Sequence, residues 1–253
     1  MNTAEWTAED QKRQNESLEE VIENIRKKTR RQVSTLAIFD LDGTLFDNRP
    51  RTMFILREIA EKYGDELPEL EASFDRFFDL SVIQYSLDHT LKKVGVTSSE
   101  EVEFIRKEWE KRFFSDEYQK FDLPLPGAKS YVNKVHSEGA TIIYLTGRDV
   151  GRMLVGTTES LRLYGFPVGI VGTMMLVKEE FEQKDEIFKQ EVVSYLKRLG
   201  SIEAVFENEP TNSNVLAKEF PEARSFLVMT QHRPDAPALD SGIFRINDFK
   251  IRK

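Results

Sequence analysis

The sequence of 253 residues contains no cysteine and no long apolar segment. Without cysteine the chain has no disulfide bonds, thiolate metal sites or thiol nucleophiles, so any chemistry must come from oxygen and nitrogen groups. No stretch approaches the roughly 20 uninterrupted apolar residues that a membrane-spanning helix needs. The first thirty residues are charged throughout and show no apolar signal core, which predicts a cytoplasmic protein with no membrane partner.

Basic side chains are also in deficit, because 36 Lys and Arg stand against 44 Asp and Glu, a formal net charge of −8. Proteins that bind nucleic-acid backbones usually carry a basic excess. The charge balance therefore argues against a general nucleic-acid binder, although it permits a local basic groove. The hydrophobic fraction of 40% is enough for a sizeable core, and the length predicts one large globular domain or two small ones.

The first 33 residues are polar, with a thin apolar stripe and a basic run from Arg26 to Arg31. This pattern predicts an N-terminal helical extension, residues 1–33, that is a surface helix or a partly ordered arm. The basic run has two interpretations, which are a contact with phosphate groups or a membrane surface and a solvated helix end. Isolated charge runs are usually solvated, so we favour the second interpretation.

Short apolar runs alternate with helical stretches over much of the chain, at residues 35–39, 141–145, 168–171, 202–206 and 225–229. Strands that alternate with helices predict a parallel sheet covered by helices on both faces, which is an α/β, Rossmann-like, three-layer fold. We assign residues 34–47 and 123–253 to this core domain.

The block between residues 48 and 122 has helical rather than alternating character. Asn48 can cap a helix and Pro50 fits a first helical turn. Later, Ser98 and Glu101 form a capping-box pattern before an apolar stripe. The aromatic stripes of this block are typical of a helix-bundle core rather than of a ligand cage. The sequence thus predicts an all-helical domain inserted after the first strand of the core.

The strongest local motif, Asp40-Leu41-Asp42-Gly43-Thr44, follows the first apolar run. Ligands of open α/β sheets bind beyond the carboxyl ends of the strands. Asp40 and Asp42 are two residues apart and can point to the same side, while Gly43 lets the backbone turn away. Gathered like charges favour a bound cation such as Mg²⁺ or a raised pKa on one Asp. The alternative interpretation is a strand-end turn capped by Asp and Gly.

This motif resembles the first motif of the haloacid dehalogenase-like (HAD) phosphatases, an apolar strand followed by Asp-x-Asp-Gly-Thr. The resemblance extends from about residue 36 to residue 229. It implies that Asp40 is the nucleophile, that Asp42 is the general acid and base, and that Gly43 and Thr44 contact the substrate. Because Asp42 holds the second position, the sequence is similar to phosphohydrolases rather than to dehalogenases or transport ATPases. The resemblance also implies that residues 48–122 are a helical C1 cap domain, a lid that selects the substrate.

A second motif, Thr146-Gly147-Arg148, follows the apolar run at 141–145. Thr146 offers a hydroxyl, Gly147 permits a close approach to the backbone, and Arg148 is able to bind phosphate with two N–H groups. The resemblance implies that Thr146 is catalytic and hydrogen-bonds the phosphoryl group, with Gly147 and Arg148 binding the substrate. The alternative is a helix N-cap formed by Thr146 or Asp149.

The resemblance further implies a lysine that neutralises the nucleophile and the phosphate. Lys178, Lys184 and Lys189 lie in the right region. In relatives whose third motif reads Lys-Asp-x-x-x-Lys, the later lysine acts in the site, and here that is Lys189. Asp185, one helical turn before it, is a candidate partner.

The fourth motif departs from the family pattern, since Glu207 and Asn208 stand where family members usually place Asp-Asp or Gly-Asp. Glu207 is the positional match, able to bind Mg²⁺ directly or through water, and Asn208 offers a carbonyl oxygen. The resemblance therefore implies a Mg²⁺ site formed by Asp40, the backbone carbonyl of Asp42, Glu207 and Asn208. His232 follows the last predicted strand on the same edge of the sheet, and we interpret it as structural.

These observations predict a Mg²⁺-dependent phosphohydrolase that cleaves a small phosphate ester through an aspartyl-phosphate intermediate. Two other hypotheses stay open. A polynucleotide-end phosphatase is suggested by the Lys-Asp-x-x-x-Lys resemblance and the basic run. A non-catalytic binding protein on a degenerate HAD fold is suggested by Glu207 and Asn208 at the fourth motif.

Overall fold

A computed structural model of the chain describes residues 6–252. The chain divides into two compact units. The sheet unit contains the chain up to Phe46, Pro124–Asp149 and the chain from Leu161 onward. The helical unit contains Asp47–Leu123 and Val150–Ser160. No helix of the described residues is long and apolar enough to cross a membrane.

The strands of the described chain are β1 (Thr35–Phe39), β2 (Phe46–Asp47), β3 (Leu123–Pro124), β4 (Thr141–Asp149), β5 (Thr173–Lys178), β6 (Ser201–Glu207), β7 (Arg224–Val228) and β8 (Phe244–Ile246). The helices are α1 (Ala8–Arg30), α2 (Arg49–Tyr63), α3 (Pro68–Glu71), α4 (Leu87–Val94), α5 (Ser99–Phe113), α6 (Ala128–Ser137), α7 (Val150–Leu163), α8 (Asp185–Glu191), α9 (Val193–Leu199) and α10 (Pro210–Glu219).

Six strands form one sheet in the order β5-β4-β1-β6-β7-β8. Every neighbouring pair runs parallel. Successive β1 side chains point to opposite faces, as the period of two requires. Ala37 and Phe39 pack with α1 and α6 on one face, and Leu36 and Ile38 pack with α8, α9 and α10 on the other. The predicted α/β three-layer fold with a parallel sheet is confirmed.

Two strands differ from the sequence-based prediction. The run at 168–171 is a loop, and the edge strand is β5 at Thr173–Lys178 instead. Gly169 and Gly172 both have positive φ, 67° and 78°, which breaks the extended backbone, and Val171 between them is 95% exposed. The short strand β8 was not predicted, because its three residues carry no apolar alternation long enough to stand out.

The first helix packs within the sheet unit. Residues 1–5 of the predicted extension lie outside the described residues. The helix begins with a capping box between Thr7 and Asp10. Its apolar stripe is buried against the sheet, at Leu18, Val21, Ile22 and Ile25. The spacing of the stripe buries one helix face, so α1 completes a layer of the fold.

The basic run of α1 is also partly neutralised. Arg26 donates to both carboxylate oxygens of Glu138, at 2.8 and 2.9 Å. Lys28 donates to Glu203 at 2.7 Å. Arg26 and Lys28 therefore connect α1 to the end of α6 and to β6.

The helical unit has a core of its own, built from α2, α4 and α5 around Ile55, Ile59, Leu91 and Ile105. Ser98 caps α5 by accepting a hydrogen bond from the backbone N–H of Glu101. The predicted capping box does not form, because the Glu101 carboxylate accepts from the backbone N–H groups of Glu69 and Leu70 instead. Asn48 lies at the N-cap of α2 but makes no side-chain cap hydrogen bond.

Part of α7 also belongs to the helical unit, which the sequence did not indicate. Gly156 N–H donates to Asp116 Oδ1 at 2.6 Å. A Cβ at Gly156 would lie 2.1 Å from the Asp116 carbonyl oxygen. Only glycine permits this approach, and the missing side chain explains why the helix packs so closely here.

Candidate active site

The site lies where β1, β4 and β6 end side by side in the sheet. Asp40 directly follows β1, and its backbone N–H donates to Phe206 O of β6 at 3.0 Å. Glu207 is the last residue of β6, and Thr146 lies near the end of β4. Because parallel strands bring their carboxyl ends to one edge, three distant sequence motifs converge there.

Lys189 of α8 joins two of these strand ends. Its Nζ donates to Asp40 Oδ1 at 2.8 Å and to Glu207 Oε2 at 2.5 Å. All three residues are buried. Among the three lysines considered from the sequence, the structure brings Lys189 to Asp40.

The other two lysines lie elsewhere. Lys178 is buried, but its Nζ donates to the backbone carbonyls of Phe181 and Gln183, at 3.0 and 2.9 Å. It also pairs with Asp185 at 3.0 Å. The interpretation of Asp185 as a partner of Lys189 is therefore wrong, because the chain before α8 carries the Asp185 side chain towards Lys178. Lys184 is exposed.

Glu207 is held rigidly at both carboxylate oxygens. Oε2 accepts from Lys189, and Oε1 accepts from the backbone N–H groups of Asn208 and Glu209, each at 3.0 Å. The extra methylene of Glu relative to Asp lets the side chain fold back over its own strand end. The side chain of Glu207 is thereby fixed beside Asp40.

The electrostatics of the cluster follow from its burial and its charge count. Burial, with help from the carboxylates of Glu207 and Asp42, raises the pKa of Asp40 above its ordinary value, although Lys189 opposes the shift. Burial alone would lower the pKa of Lys189, but Asp40 and Glu207 raise it above its ordinary value. The lysine stays charged, and the negative charge around Asp40 exceeds what one lysine neutralises.

Asp42 has a cation of its own. Arg148 Nε donates to Asp42 Oδ2 and Arg148 Nη2 donates to Asp42 Oδ1, both at 2.8 Å. The backbone N–H of Arg148 donates to Thr146 Oγ1 at 3.3 Å. Thr146 is completely buried, and the residue that donates to its hydroxyl lies two positions further along β4.

The turn after Asp42 fits closely against Asn208. Gly43 has a φ of 76°, and a Cβ there would lie 2.3 Å from Asn208 Nδ2. Asn208 Nδ2 donates to Gln231 O at 2.9 Å, and Thr44 Oγ1 donates weakly to Asn208 Oδ1 at 3.4 Å. Asn208 therefore connects the turn after Asp42 to the chain that follows β7.

Sequence reasoning missed Thr230, which strengthens the same connection. Its Oγ1 donates to Gly43 O at 2.6 Å. The one available signal was its position after the strand β7, on the edge where the other motifs lie. His232 Nδ1 lies 3.2 Å from Thr230 O, which agrees with a structural role for the ring.

The closeness of Gly147 to Asp185 also depends on the absence of a side chain. A Cβ at position 147 would lie 2.1 Å from Asp185 Oδ2. The carboxylate of Asp185 therefore lies against the backbone of Gly147, the second residue of the Thr146-Gly147-Arg148 motif.

The donor atoms around Asp40 suit a hard cation. The candidate ligands are carboxylate, amide and backbone carbonyl oxygens, which Mg²⁺ prefers. Among residues 6–252 no group of three or more acidic or imidazole side chains is arranged to hold an ion. Lys189 is the single hydrogen-bond donor to the Asp40 carboxylate within those residues, so its second oxygen is available. The chemistry of these groups fits Mg²⁺ if the Asp42 carbonyl, Asn208 Oδ1 and water molecules join the carboxylate of Asp40 as ligands.

A covered parallel sheet with its site beyond the carboxyl ends of the strands places the chain among α/β proteins with a Rossmann-like core. The family model for haloacid dehalogenase-like hydrolases matches residues 35–171, more than half of the chain. The chain therefore belongs to the haloacid dehalogenase-like hydrolases, which confirms the resemblance. The match contains the first two motifs and ends before Lys189 and Glu207.

Solved structures agree on the fold. A candidate phosphatase from Clostridium difficile is 15% identical, with 81% of this chain and 89% of that chain covered and a TM-score of 0.54. A dehalogenase with an intermediate complex is 15% identical, with 86% and 94% covered and a TM-score of 0.51. A candidate haloacid dehalogenase-like hydrolase from Burkholderia xenovorans LB400 is 14% identical, with 86% and 94% covered and a TM-score of 0.50. No curated protein matches the chain.

Proposed function

We propose that this chain is a Mg²⁺-dependent phosphohydrolase that cleaves a small phosphate ester through an aspartyl-phosphate on Asp40. The observation that carries the proposal is Lys189, whose Nζ contacts both Asp40 and Glu207 in a buried position. A carboxylate that attacks a phosphate must approach another anion, and a fixed cation beside it lowers that repulsion. A dehalogenase would have no need for the second acid, Asp42.

The charge count supports a divalent cation. The site contains two cations, Lys189 and Arg148, and three carboxylates, those of Asp40, Asp42 and Glu207. One formal negative charge therefore remains before a phosphate dianion binds. We propose that Asp40, the Asp42 carbonyl, Glu207 and Asn208 hold Mg²⁺, with Glu207 acting directly or through water. When bound, Mg²⁺ neutralises phosphoryl oxygens and orients them for in-line displacement.

The residues of the chain then have separate roles. Asp40 attacks phosphorus with one carboxylate oxygen, and the bond from phosphorus to the ester oxygen breaks. Asp42 gives its proton to the departing oxygen and later removes a proton from the water that attacks the aspartyl-phosphate. The Thr146 hydroxyl donates to a phosphoryl oxygen, and Lys189 neutralises charge on Asp40 and the phosphate.

The helical unit gives the proposal a source of specificity. It is inserted at Asp47–Leu123, directly after the first motif. We propose that it is a cap domain that contacts the part of the substrate beyond the phosphate and excludes water during transfer. The polynucleotide-end hypothesis loses support, because Arg26 and Lys28 of the basic run are engaged by Glu138 and Glu203.

The test is hydrolysis of a generic aryl phosphate with and without Mg²⁺. Asp40→Asn should lower kcat at least about 10³-fold, because the covalent route is lost. Asp47→Asn is the matched control, since Asp47 is an acid close in sequence that pairs with Arg49 in the helical unit. If Asp40→Asn keeps Mg²⁺-dependent turnover, Asp40 is not the nucleophile. If the wild-type chain neither hydrolyses phosphates nor binds Mg²⁺ in calorimetry, the non-catalytic hypothesis is favoured.

A further inference from the structure

Arg148 has a more specific role than a general phosphate contact. We infer that Arg148 is a positioning residue for Asp42, which fixes the carboxylate that transfers the proton, and that it does not bind the phosphate itself. This inference rests on the proposed function. It concerns a pair of residues that belong to neighbouring strand ends and whose contact the sequence motifs did not indicate.

The geometry of the pair is bidentate. Both Asp42 oxygens accept from different nitrogens of one guanidinium, each at 2.8 Å. A two-point contact fixes the rotation of the carboxylate as well as its position. Arg148 is 2% exposed, whereas the Asp42 side chain is 31% exposed. The partly exposed carboxylate of Asp42 is therefore held in place by a buried arginine, Arg148.

The sheet explains how the two side chains meet. β1 pairs with β4 so that Phe39 lies opposite Tyr144. The pairing of β4 with β5 is irregular between Leu145 and Asp149. An irregularity of this kind redirects the side chains that it contains. Arg148 lies within it and is turned towards the chain that follows β1, where Asp42 lies.

Lys189 and Arg148, the two cations of the site, form ion pairs with different carboxylates. Lys189 contacts Asp40 and Glu207, and Arg148 contacts Asp42. If Arg148 moved to a phosphate, the Asp42 carboxylate would lose this counter-ion beside an incoming dianion, which is unfavourable because the like charges repel each other. Lysine cannot reproduce the pair, because an ammonium lacks the planar fork. The arrangement therefore favours an arginine that stays on Asp42 through the reaction.

A positioning role predicts a particular kinetic signature. Arg148→Lys keeps the charge and removes the fork, and Arg148→Met removes both. With an aryl phosphate and Mg²⁺, we expect kcat to fall about 10-fold in the first variant and about 100-fold in the second, because misplacing an acid–base group slows proton transfer. KM, and the inhibition constant of inorganic phosphate, should stay within about threefold of the wild-type values.

The pair Arg49–Asp47 supplies a matched control, since Arg49 Nε and Nη2 also bind one carboxylate in the helical unit. Arg49→Lys should leave kcat within about twofold, as expected of a partly exposed pair. A double-mutant cycle adds a second readout. In an Asp42→Asn background, Arg148→Lys should cause no further loss of kcat, because Arg148 acts through Asp42.

Three results would overturn the inference. The first is a tenfold rise in KM or in the phosphate inhibition constant with kcat unchanged, which would make Arg148 a phosphate ligand. The second is an unchanged kcat in Arg148→Lys and Arg148→Met, with thermal unfolding showing both variants folded. The third is an equal further loss in the Asp42→Asn background. A wild-type chain without phosphatase activity would instead contradict the proposed function.

Discussion

Two buried ion clusters, one in each unit, differ in their charge balance. In the helical unit, Arg51 Nε lies 2.9 Å from Asp122 Oδ1, and both side chains are completely buried. Arg51 also donates to Phe113 O at 2.9 Å and lies 3.9 Å from the Phe113 ring centroid. In the sheet unit, Lys189 faces two buried carboxylates. In the first cluster Arg51 pairs with Asp122, whereas in the second one lysine faces two carboxylates.

The difference separates structural from reactive ion pairs. A pair of one cation with one anion that also makes packing contacts, which we call balanced, contributes to the fold. Burial, with help from the neighbouring carboxylates, raises the pKa of Asp40, and an excess of carboxylate favours a bound cation. Both clusters are buried, so we propose that charge balance, and not burial, distinguishes the reactive cluster from the structural one.

The largest effect should come from removing the lysine of the unbalanced cluster. Lys189→Met leaves Asp40 and Glu207 without their shared cation, so kcat/KM for an aryl phosphate should fall at least about 10³-fold. Lys178→Met is the control, because Lys178 is also buried but pairs with Asp185 and loop carbonyls. It should lose stability and keep activity within about tenfold. Comparable activity losses in the two variants would contradict the assignment of Lys189.

The balanced cluster should show the opposite pattern. Arg51→Met leaves Asp122 buried without this cation, and we expect a loss of about 3–5 kcal/mol in the free energy of unfolding, measured by urea denaturation. The double variant Arg51→Met/Asp122→Leu should recover much of that loss, because apolar groups of similar volume can replace a buried pair. A double variant as unstable as the single one would show that the pair contributes more than charge compensation.

The turn between the first motif and Asn208 tests how far the reactive cluster depends on backbone geometry. Gly43→Ala places a methyl group against Asn208 Nδ2 in a backbone conformation with φ of 76°. We expect a cost of about 1–3 kcal/mol in stability and a fall in kcat of about 10-fold or more. Gly242→Ala is the control, since its φ of 92° is similar but a Cβ there meets nothing within 4 Å. Gly242→Ala should share part of the stability loss and keep kcat.

The smallest effect should come from an ion pair at the surface. Arg26 and Lys134 lower the pKa of Glu138 from 4.5 to about 2. Because the folded-state pKa is lowered, the contribution to stability is present above pH 4.5 and is lost as the pH falls towards 2. Glu138→Gln should therefore lower the thermal midpoint slightly at pH 7 and not at pH 2. A mutational difference that persists unchanged at pH 2 would show that packing, not charge, holds α1 there.

Much of the fold follows from local patterns in the chain. Four of the six strands in the sheet, β1, β4, β6 and β7, were indicated by apolar runs. The fifth run, at residues 168–171, is a loop because Gly169 and Gly172 interrupt the extended backbone, and β5 follows it. β8 was not predicted, because a strand of three residues is too short to show an apolar pattern of its own. The apolar stripe of α1 was visible, but its burial depended on a partner surface that no local pattern shows.

Some features of the site could likewise be predicted from the sequence, and others could not. The placement of Asp40, Thr146 and Glu207 at one edge follows from strand endings and parallel order. The contacts among side chains do not, because spacing cannot show which lysine reaches Asp40 or that Arg148 bonds Asp42. Thr230 was missed for the same reason, since a hydroxyl after a strand has no signal until its partner, the Gly43 carbonyl, is located.

The sequence by itself determined most of the elements of this protein and the kinds of side chain available for chemistry. The absence of cysteine leaves oxygen and nitrogen groups to act, and the alternation of strands and helices sets a parallel sheet with acids at its carboxyl edge. The tertiary structure decided how those charges are paired. Lys189 and Arg148 are each brought to their acids by elements far apart in the chain, and the energy of such contacts depends on distance and burial, which only the folded chain fixes.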